Sequence, residues 1–121
     1  MTQLFSASYR AYRPEMGQAV VTSLGLPRWR PEAESWPRAW VLTPTSQLFH
    51  LADDEEFTAG YLARLERFGP QKIARTLERI AREHEAEKLV VLCHEVDWAR
   101  CHRQTFASFW LATTGELVRE M

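Results

Sequence analysis

Eleven consecutive residues, Cys93 to Arg103, hold both cysteines of the chain, two of its four histidines, the carboxylate Glu95 and the arginines Arg100 and Arg103. They lie as Cys93-His94-Glu95 and Cys101-His102-Arg103, between the apolar run Leu89-Val90-Val91-Leu92 and an amphipathic segment ending in Phe106, Phe109 and Trp110. A strand-to-helix passage is where an α/β protein builds a site, because the carboxyl ends of parallel strands and the N-terminus of the following helix meet there. At that N-terminus unpaired N–H groups and the helix dipole favour an anion or a thiolate, and Arg100 and Arg103 would reinforce the effect. Cys101 in the first turn, beside His102, would then be a nucleophile or redox thiol of lowered pKa. Cys93 at the strand end would face the same pocket, and Glu95 is the natural general base or histidine-orienting group.

Four chemistries compete for this cluster. A cysteine phosphatase or sulfurtransferase loop also wraps an anion between strand and helix, but it places five residues between Cys and Arg, whereas Cys93 and Arg100 are separated by six. Zinc would find four ligands in Cys93, His94, Cys101 and His102, although a helix turns the adjacent Cys101 and His102 about 100° apart. A Cys93–Cys101 redox pair lacks the Cys-x-x-Cys spacing that pre-places two thiols. Noncovalent recognition of a phosphate-bearing ligand, either nucleotide, nucleic acid or small metabolite, needs the fewest special assumptions, and neither a metal nor an organic cofactor is assigned. Against all four stands a structural role, with the cysteines as small core residues, Glu95 paired with Arg103, and His102 packing or capping.

The elements that must position the cluster follow from the pattern of the remaining chain. Leu4 to Tyr9 alternates apolar and small polar residues and reads as a short strand, and Gln18 to Ser23 reads as a second strand buried on both faces. Residues 27–44 hold Pro27, Pro31, Pro37 and Pro44, with Pro14 nearby, and three of the five tryptophans, so they form a long loop without a regular element. Its Arg28, Trp29, Arg30, Trp36, Arg38 and Trp40 interleave guanidinium and indole groups, as nucleotide and single-strand sites do. Alternatively those rings cover the sheet where a helix is missing, or an exposed Trp36 or Trp40 anchors a protein partner or a homodimer.

Asp53-Asp54-Glu55-Glu56 has capping-box spacing and opens a helix with the stripe Phe57, Tyr61, Leu62, Leu65 and Phe68. Gly69-Pro70 stops it and starts another, with Ile73, Leu77 and Ile80 inward and a solvated charged face. Lys88 to Leu92 is a third, buried strand, Cys101 to Thr114 a helix closed by Gly115 at C′, and Leu117-Val118 a short last strand. The expected fold is therefore α/β: a single layered domain over residues 1–121 with a small, mainly parallel sheet flanked by helices. If residues 24–29 lie beside residues 93–101, both loops share the C-terminal edge of that sheet.

The net charge of −1 and pI near 6.4 argue against an indiscriminate nucleic-acid binder. Thirteen of the fifteen basic residues are arginine, which arginine-favouring codons would explain. No apolar stretch reaches about 20 residues and the start lacks a secretion signal, so a cytoplasmic protein with reduced thiols and no membrane partner is expected.

The pattern Leu92-Cys93-x-Glu95 followed by Cys101-His102-Arg103 resembles the signature of domain-of-unknown-function family 488, a set of small bacterial and archaeal proteins. Thr22-Ser23 before Leu26-Pro27-Arg28-Trp29, the segment Leu42-Thr43-Pro44, and Glu55-Glu56-Phe57-Thr58 with Tyr61 also agree with its short-chain branch. The resemblance implies a single α/β domain and no agreed activity. The longer branch tends to carry Asp-Val-Arg at its second strand where this chain has Val21-Thr22-Ser23, so no role of that acid and base transfers here.

Overall fold

The structure, a computed structural model, describes residues 2–49, 53–94 and 102–121, with Phe49 described in its backbone only. Glu95, Arg100 and Cys101 lie outside the described residues. Four strands, β1 (Gln3–Ser8), β2 (Gln18–Val21), β3 (Lys88–Cys93) and β4 (Arg119–Glu120), form one sheet in the order β2-β3-β1-β4. Every pairing in it is parallel, so the α/β expectation holds and the sheet is parallel throughout the described residues. The last strand falls two residues after the predicted Leu117-Val118, because the inward side chain there is Val118, which is buried, and the ladder follows it.

Alternation along the strands divides two cores. Leu4, Val20, Leu89 and Val91 face one side, where they meet Tyr61, Leu65, Ile73, Leu77, Phe106 and Trp110 from the helices. Three helices are described: α1 (Ser46–Phe49), α2 (Asp54–Glu83) and α3 (His102–Thr114). Asp53 caps α2 as its spacing predicts, its Oδ1 accepting from the Glu55 N–H at 2.8 Å. α2 is two helical segments joined at Gly69, whose φ of 81° and ψ of 155° are not helical. Pro70 then supplies no donor where none is needed. Tyr61 and Leu65 are buried but Leu62 is exposed, so the stripe is narrower than predicted. Gly115, with φ of 77°, ends α3 by donating to Leu111 O at 2.9 Å. No helix among the described residues is long and apolar enough to cross a membrane.

The opposite sheet face carries Ala7, Tyr9, Ala19, Val21, Val90 and Leu92, and no α-helix among the described residues covers it. Tyr12, Met16, Leu26 and Trp36 do so instead. The proline-rich loop is not wholly irregular: it contains short 3-10 turns at Pro31–Ser35 and Trp40–Leu42. Between them it pairs with β2, Val21 donating to Pro37 O at 2.8 Å and Ala39 to Val21 O at 3.0 Å, which closes that edge of the sheet.

The approach of β2 to β3 requires Gly17 just before β2. Its φ is 139°, and a Cβ there would sit 2.8 Å from both Cβ and the carbonyl oxygen of Lys88. Gly17→Ala is therefore expected to lower stability by about 2 kcal/mol or more. Gly25→Ala, where a Cβ meets nothing within 4 Å, should change it by less than about 0.5 kcal/mol. Urea unfolding of both variants checks this, and equal losses would contradict it.

Candidate functional site

Register brings three strand ends together: Ser8 lies opposite Cys93, and Val21 opposite Leu92. Tyr9 continues the ladder by donating to Cys93 O at 3.0 Å, and Thr22 by donating to Leu92 O at 3.2 Å. Residues 22–25 therefore lie beside Cys93-His94, and His94 Nε2 contacts Gly25 O at 2.8 Å. For the described residues, the loops after the second and third strands share the C-terminal edge.

His102, the first residue of α3, packs under this edge. Its Nε2 lies 3.0 Å from Thr22 O and 3.2 Å from Thr22 Oγ1, while that hydroxyl donates to Leu92 O at 2.7 Å. A carbonyl only accepts, so Nε2 carries the proton and Nδ1 the lone pair of the neutral ring. The Tyr61 ring meets the imidazole edge-on at 5.2 Å, and its hydroxyl donates to Leu42 O at 2.6 Å. Burial pushes the imidazole pKa down to about 4; the bond to Thr22 opposes the shift and the Arg103 charge adds to it.

Arg103 is fully buried, and its Nη2 lies 3.0 Å from Glu120 Oε2. Glu120 Oε1 in turn accepts from Ser6 Oγ at 2.7 Å. The carboxylate facing Arg103 at this distance therefore comes from the last strand, which no local spacing signal near Arg103 marks. Cys93 is buried at the end of β3, and its sulfur is in a disulfide. The expectation of a reduced thiol at Cys93 is corrected accordingly, and in this state it offers no thiolate nucleophile.

A second group holds the outer side of the edge. The Tyr9 hydroxyl and Ser23 Oγ are 2.7 Å apart, and Ser23 Oγ donates to Gly25 O at 2.7 Å, so Tyr9 is the donor to serine. Burial raises the Tyr9 pKa, which keeps that donor protonated. Arg38 donates through Nη1 to Ser23 O and lies 4.5 Å over the Trp40 ring. Arg30 donates to Tyr9 O at 2.8 Å and Tyr12 O at 2.7 Å.

The tryptophans divide. Trp36 packs on Tyr9 and Tyr12, with ring centroids 6.4 and 5.1 Å away, whereas Trp29 is 60% and Trp40 58% exposed. Trp36 is thus a cover for the sheet, not an exposed anchor. Arg28 is exposed and has no partner among the described residues. The described residues contain no group of three metal-ligating side chains. Of the residues the sequence singles out, His94 and His102 meet the loop carrying Arg28 and Trp29; Glu95, Arg100 and Cys101 are outside the described residues. Thr22, Ser23, Tyr9 and Arg38 also build the edge, and Thr22-Ser23 directly after a β-branched strand is the signal that marks the first two.

An all-parallel α/β domain with a polar strand-end edge is the class these features define. The chain belongs to the family described as Domain of unknown function DUF488, whose model matches residues 33–110. No curated protein and no solved structure matches the chain.

The depressed His102 pKa fixes the sign of a pH effect. Between about pH 4 and 6.5 the unfolded chain binds a proton at this ring that the folded chain excludes, so stability is full above pH 6.5 and falls as pH drops through that window. The total loss is on the order of 3 kcal/mol. Urea unfolding at pH 7.5 and 5.0 should show most of it, and His102→Gln should flatten the difference; an unchanged pH slope in the variant would contradict the assignment.

Proposed function

We propose that the protein binds a phosphate-bearing ligand, a nucleotide or nucleic acid, at the C-terminal edge of the sheet. The observation that carries this reading is the pair Arg28-Trp29, an unpartnered guanidinium among the described residues and an indole 60% exposed, on the loop that touches His94. An exposed ring beside a cation offers a stacking face and a charge for the same ligand. In this reading Arg103 is a positioning residue, since its guanidinium is buried against Glu120. Arg100 and Glu95 remain part of the proposal through their place in the sequence between Cys93 and Arg103.

A second reading rests on the Cys93 disulfide. In thiol–disulfide exchange two electrons from an external dithiol break that S–S bond, giving two protein thiols and the oxidised dithiol. A glutathione redox titration decides its standing: a midpoint near −200 mV supports exchange, and one below about −300 mV makes the bond structural.

Isothermal titration with AMP tests the first reading. Arg28→Gln and Trp29→Ala should each weaken binding at least fivefold, whereas Arg79→Gln, on the solvated face of α2, should leave it within twofold. Equal effects of all three would remove the ligand from this edge.

A further inference from the structure

We propose that the anion is held by backbone amides of the loop after β2, and that the ligand is a small phosphomonoester rather than a nucleic acid. This rests on the reading that a phosphate-bearing ligand occupies the edge. Three loop carbonyls are engaged by side chains: Thr22 O by His102 in the interior, Ser23 O by Arg38, and Gly25 O by Ser23 Oγ and, at the surface, by His94. A trans peptide is planar with its N–H opposite its C=O, and no cis bond is present among the described residues. The N–H groups of Ser23, Leu24 and Leu26 therefore point away from His102, Arg38 and His94 respectively. None of these three has a hydrogen-bond partner among the described residues.

Such a run is uncommon. A buried N–H is almost always paired, yet Ser23 is 3% exposed and its N–H is not. Leu24 and Gly25 reach solvent, so a ligand can approach the loop from outside. Neighbouring unpaired amides whose carbonyls are already engaged are the donor set that an anion takes. Arg28 stands three residues on and adds the one uncommitted guanidinium of this loop among the described residues. Trp29 follows with an exposed face for a planar group on the ester oxygen.

The same contacts disfavour a polyanion. Arg30, Arg38 and Arg64 donate to the carbonyls of Tyr9, Tyr12, Ser23, Thr43 and Trp40, so of the described arginines on the loop after β2 only Arg28 is without a hydrogen bond. A terminal phosphate presents three oxygens to several amides and one arginine, whereas a phosphodiester presents two and needs repeated cations for affinity.

The experiment is a 15N–1H titration of the intact protein with AMP, inorganic phosphate, adenosine, and a ten-nucleotide single-stranded DNA with 5′- and 3′-hydroxyl ends. AMP and inorganic phosphate should move the Ser23, Leu24 and Leu26 amides, adenosine should not, and the oligonucleotide should bind at least tenfold more weakly than AMP. Leu24→Pro, which removes one donor, should weaken AMP at least tenfold against Leu24→Ala; if the proline variant does not fold, the amide shifts alone decide. Binding of AMP that moves the Trp29 indole and leaves the three amides unmoved would overturn the amide site while sparing the edge reading. Tighter binding of the oligonucleotide would overturn the phosphomonoester class, and no binding of any phosphate ligand would overturn both.

Discussion

Guanidinium-to-carbonyl hydrogen bonds hold this fold together where secondary structure does not. No α-helix among the described residues lies over the second face of the sheet; Tyr12, Met16, Leu26 and Trp36 cover it, and the loop that carries the last two makes only two ladder bonds with β2. Carbonyls in and beside that loop take side-chain donors instead, and a buried carbonyl left unpaired costs about 1–3 kcal/mol. Arg30 reaches Tyr9 O and Tyr12 O, Arg38 reaches Ser23 O, and Arg64 crosses from α2 to Thr43 O at 2.9 Å and Trp40 O at 3.0 Å. One forked side chain can satisfy two carbonyls at once, which an ammonium does with less geometric definition. Each of these arginines also lies over an aromatic ring: Arg30 over Trp36, Arg38 over Trp40 and Arg64 over Phe68.

The chemistry available at the C-terminal edge follows from those bonds. The carbonyls of Thr22, Ser23 and Gly25 are engaged by side chains, and His102 is held neutral beneath the loop by burial. Arg103, which on sequence grounds alone belongs among the ligand contacts, is engaged with Glu120 and ties the start of α3 to the last strand. On the loop after β2, Arg28 is the described arginine without a hydrogen bond, and Trp29 and Trp40 are the exposed rings. Trp36 and Trp29, seven residues apart in one loop, thus serve opposite ends: one seals the sheet, the other faces solvent.

Much of the frame was legible in the sequence because periodicity reports it. The strands at Gln3–Ser8, Gln18–Val21 and Lys88–Cys93, the Asp53 cap, the break at Gly69-Pro70 and the Gly115 stop all leave local signals. What was not legible depends on pairings between distant residues. Nothing near Arg103 names Glu120, and nothing near Arg64 names the carbonyls of Thr43 and Trp40. The arginine bias that codon preference would explain has, in at least three residues, a structural use. Similarly, three tryptophans in a proline-rich loop announce coverage or binding, and only the packing on Tyr9 and Tyr12 separates Trp36 from the other two.

The most direct measurement is urea unfolding of four single variants: Arg30→Gln, Arg38→Gln, Arg64→Gln and Arg28→Gln. The first three should each lose about 1–3 kcal/mol, the range for removing a charged donor from a part-buried acceptor, and Arg28→Gln should lose less than about 0.5 kcal/mol. Losses confined to Arg28→Gln, or indistinguishable among the four, would contradict the claim that guanidinium clamps fold this loop and leave Arg28 free for a ligand.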